Sequence, residues 1–329
     1  MLNAAICTDQ HRDTLQVLDL QSGHTIRILP NMDPFSSDGE LVNIHTAFIQ
    51  GQYDTVLNDF TTTDFSQSNH LPVQILRYRA QCALGQYDQV ISSISDNDAK
   101  STPDLAAART FASCLQKQSP NALQEAERLA DAHRENLTVQ LLCGTILARA
   151  GKPEEALQLL QKHTGSLDAV ALIVQIHLSQ NRTDLALKET KSARSFAQDA
   201  LLVNLAESWV GMRQGGEEYQ KAFYVFEELA QAPSSASARS LVAQAVSEMH
   251  MGRTEEAETA LNAALEMEPE NSVALSNKFV LDSVLGMDVS ESRKKLESVD
   301  KEADVLRELD AKREAFKEAM KRFSPRFEP

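Results

Sequence analysis

The chain has 329 residues, 42% of them hydrophobic and 24% charged, and its 32 basic against 47 acidic side chains leave a formal charge of −15. That excess of negative charge argues against the phosphate backbone of nucleic acid as a partner and favours a basic, neutral or apolar one. Aromatics make up only 5%, Gly and Pro are sparse, and Ala, Leu, Gln, Glu and Ser give a helix-forming mixture, which disfavours an all-β enzyme.

Residues 1–34 contain LQVLDL and HTIRIL separated by QSG, the pattern of two short strands around a Gly turn. An isolated hairpin is marginal in water. The segment therefore reads either as a short N-terminal β-hairpin that adds to a partner or to the end of the fold, or as a weakly ordered extension or a start placed too early. No basic stretch precedes an apolar run there. The best apolar run in the chain, Ala169 to Val174, is far below the roughly 20 residues that span a bilayer, so a cytoplasmic protein is expected.

An internal repeat organises the chain beyond this segment. GQYDTV begins at Gly51 and GQYDQV at Gly85, 34 residues apart, which is a tetratricopeptide period. The phrase returns as GKPEEA at Gly151, NRTDLA at Asn181, GRTEEA at Gly252 and GMDVSE at Gly286, with a degenerate copy near Asn121 and a longer one around Gly215 and Gly216. Gly51 to Gly286 is 235 residues over seven intervals, averaging about 33.6. Each phrase combines a residue that relieves left-handed strain at a helix end with acids that favour the N-terminus of the next helix. In GRTEEAETALNAALEMEPEN, Ala257, Leu261 and Ala264 share one helical face and Pro269 stops the helix. The predicted fold is all-α: a tetratricopeptide-like helical-hairpin solenoid, a right-handed superhelix over residues 35–290. Beyond it, residues 291–329 read as a C-terminal capping helical region whose packed face carries Val305, Leu309, Lys312 and Phe316.

Little in the sequence suggests catalysis. GxxxxGK[ST], GxGxxG after a strand, GxSxG and HExxH are all absent. Cys7, Cys82, Cys114 and Cys143 lie at least 29 residues apart and read as buried thiols in a reducing compartment; no metal or cofactor site is expected. The paired acids Glu154–Glu155, Glu217–Glu218 and Glu255–Glu256 open helices, where dipole complementarity explains them. The Gly215–Gly216 pair precedes acids and reads as an interhelix turn.

A stacked array presents the first helix of each pair to an inner groove, so partner binding is the default function. Positions ten, six and three before each turn residue share one face. They give the candidate partner-binding residues Leu41, His45, Phe48, Ile75, Arg79, Leu141, Thr145, Gln175, Leu178, Val242, Val246 and Met249, with interhelix core an equal reading for each. Residues 291–329 carry 11 basic and 10 acidic side chains, so residues 1–290 carry 21 and 37, and the acidity belongs to the array. With no Lys or Arg between Arg27 and Arg77, a groove that clamps the carboxylate of an acidic C-terminal peptide is disfavoured.

The stretch LLVNLAESWVGMRQGGEEYQKAFYVFEELAQ (201–231), with VALIVQIHLSQNRTDLALKE before it and VAQAVSEMHMGRTEEAETALNAAL after it, resembles the epsilon subunit of coatomer, the COPI vesicle coat. DPFSSDGELVNIHTAFIQGQYDTVLND (33–59) and FKEAMKRFSPRFEP (316–329) look like that family's ends, so the resemblance covers about 33–329; residues 1–32 depart from it. It implies a non-catalytic cytoplasmic subunit that wraps a segment of the alpha coatomer subunit, and through it joins the rest of the coat. It further implies retrograde Golgi-to-ER and intra-Golgi transport, with a peripheral place on Golgi membranes and COPI-coated vesicles and only indirect membrane contact. The alternatives are another tetratricopeptide adaptor or assembly scaffold and, more distantly, a hydrolase with dispersed carboxylates, which requires a deep polar pocket holding two perturbed acids.

Overall fold

The computed structural model describes residue 35 and residues 39–117, 120–232 and 236–323, and every regular element among them is helical. The predicted N-terminal hairpin lies outside the described residues. These residues divide into two compact units, one ending at Ala236 and one beginning at Ser237.

In the first unit the helices pair in chain order. α1 (Val42–Gln50) pairs with α2 (Tyr53–Asn58) and α3 (His70–Ala83) with α4 (Tyr87–Ser93). After a short α5 (Asp96–Ser101), α6 (Pro103–Lys117) pairs with α7 (Pro120–Ala132) and α8 (Leu137–Arg149) with α9 (Pro153–Leu160). α10 (Leu167–Ser179) with α11 (Thr183–Arg194), and α12 (Leu201–Gln214) with α13 (Glu217–Gln231), complete it. Apart from the degenerate copy, the predicted turn residues sit between partners, and Asn181, which stands in for glycine, adopts φ 58°. Asn is the residue other than Gly that tolerates this left-handed region best, which is why NRTDLA can replace the glycine phrase. The degenerate third copy differs: α7 starts at Pro120, so Asn121 lies in the first turn of that helix. The paired acids all fall in first turns, of α9, α13 and, in the second unit, the helix beginning at Thr254.

First helices are buried on two sides, because each is sandwiched between its own partner and the neighbouring hairpins. α3 sends Val73, Leu76 and Ala80 into a small core beneath α1 and α2, and Ile75, Tyr78 and Cys82 into the large central core. α10 likewise gives Ile173 and Ile176 to the central core and Val170 and Val174 to a third cluster under α11 and α12. Burial raises the thiols of Cys82 and Cys143 to about 12, so both are inert packing residues.

Close helix approach is fixed by Gly144 in α8. A Cβ built there meets Leu160 Cγ of α9 at 3.1 Å. Overpacking by Gly144→Ala costs about 1–3 kcal/mol and the better helix propensity of Ala returns about 1, so a net loss of up to about 2 kcal/mol is expected, measurable as a lower urea midpoint with unchanged slope.

The second unit pairs α14 (Ala238–His250) with α15 (Thr254–Met267) and α16 (Ser272–Val284) with α17 (Ser290–Val299), followed by α18 (Asp304–Arg322). Lys278 of α16 bonds Glu258 of α15 at 3.0 Å and Asp282 at 2.6 Å. The region expected as a C-terminal cap thus opens with α17, the partner of α16 in the last hairpin, and continues as α18. In α18 only the first turns pack: Leu306 is buried and Val305 and Leu309 border its cluster, whereas Lys312 is exposed and Phe316 is 66% exposed. The expected packed face therefore ends near Leu309, and Phe316 lies outside it. No helix among the described residues is long and apolar enough to cross a membrane.

Candidate partner-binding site

The candidate residues separate by register. Ten positions before the turn, Leu41, Ile75 and Val242 are buried, each in a hydrophobic cluster, so they are core and unavailable to a partner; Leu141 stays half-exposed. Six and three positions before it, Phe48, Thr145, Gln175 and Leu178 are half-buried in the first unit, as are Val246 and Met249 in the second. The inner position belongs to packing except at Leu141, and Phe48, Thr145, Gln175, Leu178, Val246 and Met249 keep an uncharged, partly solvated surface.

His45 and Arg79, at the same register position in successive first helices, do something the repeat alone did not predict. Both reach Asp168, in the first turn of α10. Arg79 Nη1 donates to Asp168 Oδ2 at 2.8 Å, and His45 Nε2 lies 3.1 Å from Oδ1. An ionised carboxylate only accepts, so Nε2 carries the proton of that bond. Side-chain exposures are 8% for His45, 14% for Arg79 and 10% for Asp168. Aromatic rings enclose the cluster: Phe35 stacks on His45 with centroids 4.4 Å apart, and the Arg79 guanidinium sits 4.5 Å over the ring of Phe48. Asp168 is placed by local sequence. Gly165 turns the chain at φ 91°, Ser166 caps α10 by accepting from Ala169 N–H, and Asp168 falls in the positive first turn.

Burial would push the Asp168 carboxyl up, but the charges and hydrogen bonds of Arg79 and His45 outweigh it and hold Asp168 well below the usual carboxylate range. Its folded value is depressed, so its stabilisation is full above the unfolded-state value of about 3.9 and declines as pH falls below that toward the folded value. The stability gap between wild type and Asp168→Asn, from urea midpoints, is expected to be wide at pH 5 and to shrink below about pH 4.

The other arginine of the opening hairpins is also engaged internally. Arg77 donates to the carbonyls of Val56, Leu57 and Phe60 at the end of α2. Arg77 and Arg79 are the only cationic residues between Arg27 and Lys100, apart from histidine, so the opening hairpins hold no Lys or Arg ready to clamp a peptide carboxylate. A cavity of about 360 Å³ is lined by Thr62, His70, Gln74, Arg77, Tyr78 and Gln81, with no acid among them. Among the described residues no cluster of His, Cys, Asp and Glu has the makeup of a metal site.

Asp168 and Phe35 were not among the candidates. Asp168 reads locally as a helix-dipole acid; the signal for more was its place seven residues before Gln175, on the same face of α10.

A family model described as the coatomer epsilon subunit matches residues 37–324. Coatomer subunit epsilon-1 of Arabidopsis thaliana is 28% identical over 297 residues, covering 89% of this chain and 100% of that protein. A probable coatomer subunit epsilon of Schizosaccharomyces pombe is 32% identical over 263 residues, covering 79% and 86%. Among solved structures, a tetratricopeptide repeat protein from Parabacteroides merdae is similar with TM-score 0.54 at 13% identity, over 78% of this chain and 96% of that one, which bears on the fold alone. With the family match spanning most of its length and the repeat fold beneath it, the chain belongs to the coatomer epsilon subunit family.

Proposed function

We propose that this coat subunit is non-catalytic and acts by enclosing an extended segment of the alpha coatomer subunit, which it orders and stabilises within the COPI coat. Supporting the reading is one observation: first helices of the same unit carry Phe48, Leu141, Thr145, Gln175 and Leu178, uncharged and half-buried, on the face that the repeat register turns the same way. Such a face gains buried area against an extended chain, and restricting that chain's freedom stabilises it. The role so described is structural support for Golgi-to-ER retrograde and intra-Golgi transport, from the cytoplasm. Membrane recruitment comes through the rest of the coat.

Co-expression with candidate coat subunits followed by affinity purification tests this. A stoichiometric complex with the alpha subunit, in which limited proteolysis leaves residues 41–179 protected, is expected. Recovery of an intact coat whose alpha subunit does not bring this chain down would sink the assignment.

A further inference from the structure

The Arg79–Asp168–His45 cluster joins elements that the stacking order keeps apart. α1 packs chiefly on α2 and α3, and α10 on α8, α9, α11 and α12, yet His45 and Asp168 are 123 residues apart in sequence and Arg79 and Asp168 are 89 apart. The contact also lies where a partner segment is placed by the proposed function. Asp168 and Gln175 share one face of α10, and His45 and Arg79 hold the register position that Gln175 holds in its own helix. Leu41, Ile44, Ala47, Val56, Val73, Leu76 and Ala80 form a small core for the first hairpin and one face of α3, while Ile75, Tyr78 and Cys82 on the other face of α3, with Val90 and Ile94 beyond it, belong to the central core. The first hairpin, with its core set against only one face of α3, can shift while staying folded, at the cost of the charged contact that ties it down, whereas α3 is anchored in the central core.

We propose that Asp168 is the keystone of a clasp, set by Arg79 from the anchored α3 and closed by His45, that holds the first hairpin against the fifth and so retains the alpha-subunit segment once it is enclosed. This rests on the enclosed-segment reading. Asp168 acts here as a positioning residue: it fixes how far the two arms of the unit can part. Phe35 and Phe48 shield the contact from water, which strengthens the ion pair and slows its opening. A clasp of this kind governs how long the complex lasts more than how fast it forms.

The test is the lifetime of the complex between the full chain and the alpha coatomer subunit, followed by surface-immobilised dissociation at pH 7. Asp168→Asn is expected to shorten it about tenfold while the association rate changes less than about threefold. His45→Ala removes one arm, leaves the Arg79–Asp168 pair to hold the fold, and is expected to shorten the lifetime about threefold. Asp168→Glu, which keeps the charge, should recover part of the loss. Leu129→Ala, a core truncation in the second helix of the third hairpin, lowers stability without touching the clasp and should leave the lifetime at the wild-type value. A wild-type lifetime in folded Asp168→Asn or His45→Ala overturns the clasp. Absence of binding by the wild-type chain overturns the proposed function instead, so the two failures are distinguishable.

Discussion

Asp168→Asn is expected to destabilise the protein by about 3 kcal/mol, the lower end of the range for breaking one side of a buried ion pair. The amide nearly matches the carboxyl in size, so no cavity opens. What changes is charge: Arg79, 14% exposed in its side chain, and His45, 8% exposed, lose the negative charge that offsets their desolvation, and the amide NH2 sets a donor against one of them where an oxygen had accepted. The origin of the loss within the cluster can be checked with a multiple-mutant cycle. Arg79→Met together with His45→Phe and Asp168→Leu removes all three polar groups and should recover much of the loss, since an apolar replacement of a whole buried cluster is often neutral. Urea denaturation of the free protein reads both outcomes. A loss below about 0.5 kcal/mol for Asp168→Asn would mean that the cluster is solvated in solution.

Leu160→Ala is expected to cost about 2–5 kcal/mol. Leu160 is fully buried in the central core, and its isobutyl group fills the space left by the missing side chain of Gly144. Because the two positions share that space, a methyl introduced by Gly144→Ala can occupy part of the cavity that Leu160→Ala opens. The double variant Gly144→Ala, Leu160→Ala should thus be more stable than the sum of its single variants. Phe316→Ser offers the contrast: a larger side chain, but 66% exposed on α18, is expected to change stability by no more than about 0.5 kcal/mol. Thermal or urea melts of the four variants would show whether burial or residue size sets the cost.

Helical hairpins were readable because their punctuation is chemical. Gly51, Gly85, Gly151, Gly252 and Gly286 take positive φ where the 34-residue phrase placed them, and Asn181 does so as the tolerated substitute. The groove positions were half readable. Periodicity identified a shared helical face, but a first helix is apolar on two sides, so spacing alone could not separate Leu41 and Ile75, which are core, from Phe48 and Leu178, which keep solvent contact. Local pattern put Asp168 on the same face of α10 as Gln175 but gave no sign of its partners. The three members of the cluster are 34 to 123 residues apart, and each has an ordinary local explanation; only the folding of α1 and α3 toward α10 brings them together. The same limit applies to α18, whose amphipathic pattern continues through Phe316 and Met320 although its packed part ends near Leu309.

Under the proposed function, the first helices of the unit ending at Ala236 enclose a segment of the alpha coatomer subunit. Hydrogen exchange of the full chain, alone and in the purified complex, tests this most directly. New protection is expected in peptides covering α1, α8 and α10, around Phe48, Leu141 to Thr145 and Gln175 to Leu178, with the second helices α9 and α11 nearly unchanged. Protection confined to α9 and α11, or to residues 237–323, would contradict it.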